Sequence, residues 1–348
     1  MNVPKEITPE GGGLTADPRR FVDLVFRVRE FGIIAVLILL VLVTASIQPR
    51  FVDLTNIQFI LVDATIFALL SLGETMVVLT RNVDLSIGSV LGISAYVCAN
   101  LFVTHPGIPI PLVFLAGLGI GLICGVCIGV LVVVGRIPSL VVTLAALYII
   151  RGIDVLKVGG GQVNANSLPD SFLEIPKKTL LGIPAVAIGV ALVIAVGAYY
   201  LRSFRSGREL YAIGSNPDAA RLAGIPSGRR VFTAFAVSGG IAGVAGVLFA
   251  AQYGAVDSTV GTGYELQVIA AVVVGGVAIF GGSGSLVGAA FGALLLQTIL
   301  SALYVLGVSP FWNQAVDGAL LLAAITLDRV ISLQLNAYMR KRRSSVVT

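Results

Sequence analysis

Residues 112–134 read LVFLAGLGIGLICGVCIGVLVVV, twenty-three positions without a charge or an amide. As a helix rising 1.5 Å per residue, such a run exceeds the hydrocarbon core of a bilayer, which is about 30 Å thick. The run from Phe31 to Ile47 has the same character. Charges are expelled from these tracts and gathered in short segments between them. The chain therefore reads as an all-α polytopic membrane protein.

Composition agrees. The chain is 57% hydrophobic and 12% charged, with a mean hydropathy of +0.98, whereas soluble domains carry about 25% charged residues. Forty-one glycines and only 7% aromatics predict closely packed helices, because no hydrophobic effect draws helices together inside lipid and glycine lets backbones approach. Cys98, Cys124 and Cys127 all lie in apolar tracts and offer no disulfide framework. The C-x-x-C formed by Cys124 and Cys127 reads as packing, not as a redox or metal motif. Met1 to Arg29 is polar, bears Pro and Gly, and precedes a tract too long for a signal h-region, so residues 1–30 are expected to be a cytoplasmic tail.

Length and breakers place ten spans at about 31–48, 56–80, 86–104, 110–134, 138–156, 183–202, 230–252, 265–280, 285–306 and 312–331. The third and eighth are the least marked. His105-Pro106-Gly107-Ile108-Pro109 and Gly135-Arg136-Ile137-Pro138 are turn signals that divide the apolar stretch 86–156 into three. With the N-terminus inside, eighteen of the 23 Lys and Arg fall in inner segments. Arg50, Lys157, Lys177 and Lys178 fall outside and Arg151 lies within a span. Basic residues stay on the cytoplasmic side, so both termini are expected there, with an even number of spans and a basic tail over 332–348. The net charge of +5 then reports topology. It is not a nucleic-acid footprint, because the basic residues are dispersed beside spans.

The chain divides near residue 180 into two halves of five spans. Halves with an odd span count, if related, run in opposite senses across the membrane, as in inverted-repeat transporters. Asp84-Leu85-Ser86-Ile87-Gly88-Ser89 and Gly281-Gly282-Ser283-Gly284-Ser285 occupy similar inner places in the two halves. The second stretch has the composition of a linker and the glycine count of a phosphate cradle, but it lacks the strand before and the Lys after that a cradle needs.

Enzymatic machinery is missing from the sequence. No G-x-x-x-x-G-K-[ST] is present to hold nucleotide phosphates, and no Ser/His/Asp set stands on wet ground. The single histidine, His105, precedes a Pro in a short outer turn. No cofactor and no metal are expected.

The long inner segment 203–229 contains a short helix with both ends marked. Asn216 is an N-cap, Pro217 takes the first helical position and Asp218 the first turn; Gly224 stops the helix and Pro226 enforces the exit. Two turns are marginal alone. From spacing, the segment is either a connecting surface loop or an element that docks on something.

Three stretches now carry a resemblance. They are Gly73-Glu74 through Arg81-Asn82-Val83-Asp84-Leu85-Ser86-Ile87-Gly88-Ser89, Tyr211 through Asn216 to Ile225, and Gly261-Thr262-Gly263-Tyr264-Glu265-Leu266 through Gly276. In this order they resemble the permease subunits of bacterial ABC importers for monosaccharides, the ribose-type group, over about residues 31–331. The resemblance implies a ten-span subunit that dimerises, with a second copy or a paralogue, and carries sugar inward. It implies partners as well: cytoplasmic ATPase subunits that supply the energy, and an extracytoplasmic binding protein, periplasmic or lipid-anchored. It assigns Asn216, Pro217, Asp218, Ala219, Ala220, Arg221, Leu222, Ala223, Gly224 and Ile225 to a coupling helix that docks on the ATPase, with Arg208, Arg221 and Arg229 as donors around it. The family more often carries small residues where this chain has Arg81-Asn82. The substrate can therefore be a pentose such as ribose or xylose, a deoxyhexose such as rhamnose, or a furanosyl signalling molecule.

Ionisable groups in or near spans are candidate pathway residues, because an unpaired charge in lipid is costly. Asp63, Glu74, Arg151, Asp154, Glu265 and Asp317 qualify. Each also has a structural reading: Asp154, three positions after Arg151, can pair with it, Glu265 can favour a positive helix end, and Asp84 or Ser86 can cap the third span. With the motif residues Gly88 and Tyr264, the candidates retained are Glu74, Asp84, Ser86, Gly88, Tyr264 and Glu265. Gly239-Gly240-x-x-Gly243-x-x-Gly246 reads as a close helix contact. Two other transporter classes fit the same sequence: a secondary transporter driven by an ion gradient, and a branched-chain amino-acid permease of the same superfamily.

Overall fold

The computed structural model describes the backbone of residues 18–309 and of positions 312, 315, 316, 318, 319, 322, 323 and 326, with side chains from residue 31 onward. Most of the expected tenth span, Asp317, the tail 332–348 and residues 1–17 lie outside the described residues.

The described chain is helical almost throughout. Helices α1 (Pro18–Ile47), α2 (Leu54–Val78), α3 (Ile87–Thr104), α4 (Ile110–Val133) and α5 (Ser139–Val158) follow one another across tight turns. A short helix α6 (Asp170–Leu173) and a hairpin of β1 (Thr179–Leu180) and β2 (Ile183–Pro184) precede α7 (Ala185–Ser203). Two helices, α8 (Arg205–Ser215) and α9 (Pro217–Leu222), stand between α7 and α10 (Ser227–Tyr253); α11 (Tyr264–Val274) and α12 (Leu286–Val305) complete the described elements. Seven of these helices are long and apolar enough to cross a membrane: α2, α3, α4, α5, α7, α10 and α12. The turns at 105–109 and 135–138 fall where Pro and Gly interrupt the helices.

α2 and α10 form the buried axis, while α4, α5 and α7 turn most of their apolar side chains outward. Outward-facing Leu, Ile and Val are what a lipid solvent permits. α10 packs along α4, α3 and α2, and α12 closes on α2 and α11. Glycines set the α4–α10 distance. A Cβ at Gly121 would land on the Gly239 carbonyl, one at Gly117 would meet Gly243, and one at Gly125 would meet Phe235 and Ala236. Gly246 lies in the same way against Leu91 and Ala95 of α3. Dispersion between backbones at this range stands in for the absent hydrophobic drive.

Two places depart from regular crossing. α11 has 11 residues, about 16 Å of helix, so the eighth span expected over 265–280 is a half-length helix followed by turns at 275–285. α2 measures its path. The Tyr253 hydroxyl donates to Asp63 (3.0 Å), and the Gly282 amide donates to the Leu79 carbonyl (3.1 Å). The segment between therefore descends about 24 Å along α2, part as loop and part as α11. The third span is filled by α3, and an irregular strap precedes it. After α2 ends, residues 82–84 run without regular structure and return alongside it, so that the Asp84 amide reaches Glu74 (3.1 Å) before α3 begins.

Candidate functional site

The start of α3 and the loop before α11 meet. Gly88, in the first turn of α3, lies against the Gly261 carbonyl with Tyr264 and Glu265 beside it, and Gly92 lies against the Val260 carbonyl. The 254–263 loop can approach so closely because Gly261 and Gly263 adopt φ of 75° and 84°, a region that costs glycine little. Two helix N-termini, of α3 and α11, thus face one another. The height of this junction follows from α10: Ser238, which touches Asp84, is about 16 Å along α10 from its start, and Gly246, which touches Leu91, lies two turns further. The junction sits inside the bundle and not at a surface.

All six retained candidates lie around it. Glu74 and Asp84 are fully buried, as is Ser86. Asp84 Oδ1 accepts from the Ser86 amide (3.0 Å) and hydroxyl (2.5 Å), and Oδ2 accepts from Ser238 (3.4 Å). Ser86 occupies the N-cap position of α3 without a side-chain cap bond; Asp84 orders that first turn in its place. Glu74 Oε1 takes the Asp84 amide, and Oε2 has no hydrogen-bond partner among the described residues. Two buried carboxylates with four hydroxyl or amide donors make a polar patch in an apolar bundle, and such groups mark pathways in transport proteins.

The pairing of Arg151 with Asp154 is not found. Arg151 Nη1 instead reaches across to the carbonyls of Ser258 (3.1 Å) and Val260 (2.5 Å), holding the descending loop. Asp154 is fully buried, and neither oxygen has a hydrogen-bond partner among the described residues. Glu265 stands in the first turn of α11, beside Gly88 at the junction. His105 shares a hydrogen bond with Thr104 (2.9 Å) in an exposed turn.

The second candidate element is the segment 203–229. Asn216 Oδ1 accepts from the amides of Asp218 and Ala219, both at 3.1 Å, and Gly224 takes a φ of 73°, so both ends of α9 are built as the sequence predicts. Ala220 is buried, whereas Leu222 is 90% exposed. Arg221 pairs with Asp218 at the solvent face (2.8 Å), and Arg208 donates to the carbonyls of Arg202 and Ser203, so these two arginines serve local turns.

α8 was not legible as a helix, and it is the mount for α9. Its Gly207, Leu210 and Ile213 are buried. Glu209 is clamped between Arg205 (2.9 Å) and Arg230 at the start of α10 (2.5 Å). The hydrogen bond from Arg230, with that from Arg205, holds the Glu209 carboxyl below its ordinary 4.5. At the other end, Arg81 Nε and Nη2 donate to the carbonyls of Gly214 (2.5 Å) and Ser215 (2.9 Å). Gly281 and Gly282 pack into the same corner, where a Cβ would strike Arg81 or Ser215. The Gly281–Ser285 stretch is therefore neither linker nor cradle; it is a close-packed wedge, and its Ser285 caps α12 by accepting from Gly288 (3.3 Å). Arg81 and Asn82 touch this corner and the end of α2.

Residues 56–325 match the family model described as "Branched-chain amino acid transport system / permease component". Over 317 residues the chain is 34% identical to the autoinducer 2 import system permease protein LsrC of Enterobacter sp. (strain 638), covering 91% of each. It is 33% identical over 315 residues to the protein of that name from Escherichia coli (strain K12 / DH10B), covering 90% of this chain and 91% of the relative. The Salmonella paratyphi B protein is 33% identical over 315 residues, 90% of each. No solved structure matches the chain. These relatives are import-system permeases, in agreement with the motif resemblance to permease subunits of ATP-driven sugar importers. With its apolar helices and this match over most of its length, the protein is a multi-pass inner-membrane protein and belongs to the family of branched-chain amino acid transport system permease components.

Proposed function

We propose that this protein is the transmembrane subunit of an ATP-driven importer for a small sugar-like solute, a monosaccharide or a furanosyl signalling molecule of the autoinducer 2 kind. The support for that substrate class is the 33–34% identity to autoinducer 2 import permeases along nine-tenths of the chain. In this reading residues 31–331 form ten crossings in two inverted halves with both termini in the cytoplasm. The residues around Gly88, Glu74, Asp84, Ser86, Tyr264 and Glu265 border the path. A second permease copy or paralogue completes the pore, an extracytoplasmic binding protein delivers the solute, and separate cytoplasmic ATPase subunits hydrolyse ATP.

The single observation that carries the reading is α9, a six-residue helix with an N-cap and a glycine stop, fixed at its root and presenting an almost fully exposed leucine. A helix this short is marginal in water, and an exposed Leu at its tip suits a groove in a partner. Residues 216–225 are its coupling element to the ATPase.

The test is co-purification with the ATPase subunits together with uptake. Leu222→Asp is expected to release the ATPase and stop uptake while membrane insertion is unchanged, and a double Ala220→Leu, Gly224→Leu variant is expected to do the same. Normal uptake by these variants would refute the assignment. Glu74 and Asp84, buried carboxylates at membrane depth, favour one rival, a carrier driven by an ion gradient. That rival requires uptake to survive loss of the ATPase and to collapse with an uncoupler.

A further inference from the structure

We propose that Arg81 is a positioning residue through which movement of the α9 element is delivered to the first turn of α3 at the Gly88 junction. The proposal rests on the reading of residues 216–225 as the part gripped by the ATPase.

The turn that ends α2 explains why Arg81 matters. The Arg81 amide donates to the Val78 carbonyl (2.9 Å) and the Asn82 amide to Val77 (3.4 Å), and Arg81 has φ of 64°. This is a helix stop of the Schellman type, whose left-handed position is usually glycine. An arginine there keeps a conformation that L side chains disfavour, and its side chain makes contacts that a glycine would lack. The guanidinium forks onto Gly214 and Ser215, the last two residues of α8, whose carbonyls have no helical partner. Ser215 immediately precedes the α9 cap, Asn216.

From Arg81 the chain continues through the irregular segment 82–84 to Asp84. Asp84 is fastened to Ser86, to Ser238 of α10 and, by its amide, to Glu74. Three residues past Asp84, α3 begins. A planar fork, one left-handed residue and a short strap thus connect the root of α9 to the junction where α3 and α11 meet. The Gly282 amide on Leu79 and the Tyr211 hydroxyl on Gly284 (3.1 Å) close the corner; among the described residues, Arg81 alone joins the first half of the chain to the root of α9 by side-chain hydrogen bonds. The other side-chain fastenings of α8, Glu209 to Arg230 and Tyr211 to Gly284, lead to the second half of the chain. α9 therefore has one root in each half.

Arg81→Gly removes the fork and leaves the turn with the residue its conformation prefers, so fold and strap stay while the connection is lost. Two single-cysteine reporters are made in a background with Cys98, Cys124 and Cys127 replaced by Ser: Val83→Cys on the strap and Ala223→Cys beside α9. The permease, assembled with its ATPase subunits in nanodiscs, is labelled with maleimide before and after ATP–vanadate trapping. Trapping is expected to change the labelling rate at both positions in the Arg81 protein. In Arg81→Gly the change at 223 persists and the change at 83 is lost, and Arg81→Lys, a single point donor that cannot fork, retains part of it. An equal change at 83 with and without Arg81, or none at 83 with Arg81 present while 223 responds, overturns the proposal. A reporter at 223 that ignores the ATPase in every variant would instead overturn the docking reading beneath it.

Discussion

Gly121 of α4 and Gly239 of α10 touch backbone to backbone, each placed where a Cβ on the other would strike a main-chain atom. The contact recurs at Gly117 with Gly243 and defines a close backbone seam between α4 and α10. A leucine at 121 or 239 cannot be accommodated by a rotamer change, because the obstacle is main chain, so its cost should exceed the about 1–3 kcal/mol of ordinary overpacking. Gly119, with nothing near its would-be Cβ, should accept Ala freely. Thermal stability in detergent, followed by the fraction remaining monodisperse after heating, should drop sharply for Gly121→Leu and Gly239→Leu and stay level for Gly119→Ala.

Asn216→Ala should unravel α9 without disturbing the spans. The cap it removes contributes about 1 kcal/mol, a large share for a helix of six residues. The expected result is weaker association with the ATPase subunits, measured by pull-down, with Asn216→Asp close to the natural protein.

Glu209 predicts an acid-sensitive mount. Its carboxyl is held below the ordinary 4.5, chiefly by the hydrogen bond from Arg230. The contribution of the clamp is therefore fully present above about 4.5 and is lost as pH falls through the lower folded value. Glu209→Gln should be less stable than the natural protein at neutral pH, and the gap should close under acid. A gap that is constant across that range would show that the clamp does not depend on charge.

Arg151→Met should destabilise the 254–263 loop. It strands the Ser258 and Val260 carbonyls, each at a cost of about 1–3 kcal/mol if buried, and it leaves Asp154 without its neighbouring positive charge. Faster proteolysis within 254–263, with the other loops unaffected, is the measurement. Arg151→Lys should restore part of the protection.

Most of the fold could be read in the sequence because lipid imposes a simple rule, and residues such as Pro109, Pro138 and Gly135 mark the breaks between helices. The eighth span was faint because it is completed by loop, Gly261 and Gly263 making the loop before α11; the third is filled by α3, with Asp84 on the strap just before it. The caps of α9 were legible at Asn216 and Gly224 because caps are local. α8 was not, although Gly207, Leu210, Tyr211 and Gly214 recur at helical spacing; its five polar or charged neighbours hide the stripe until Arg230 and Arg81 are seen to hold it. The i, i+3 spacing of Arg151 and Asp154 suggested a pair, but carbonyls brought from more than a hundred residues away compete better, and no local pattern records them. Arg81 stood out in the sequence as a departure from the family pattern, but its contacts with Gly214 and Ser215 lie 133 and 134 residues away and are visible only in the fold.

The brevity of α11 has a consequence for biogenesis. Eleven helical residues, Glu265 and Gln267 among them, are too few for the translocon to release sideways into lipid as an independent helix, and a ribosome will have made this stretch before α12 exists to cover it. α11 must wait at the insertion site, or in the aqueous vestibule, until α12 arrives and the two enter together. Truncated nascent chains ending before residue 286 should therefore leave α11 accessible to aqueous reagents, and those extending past residue 305 should bury it.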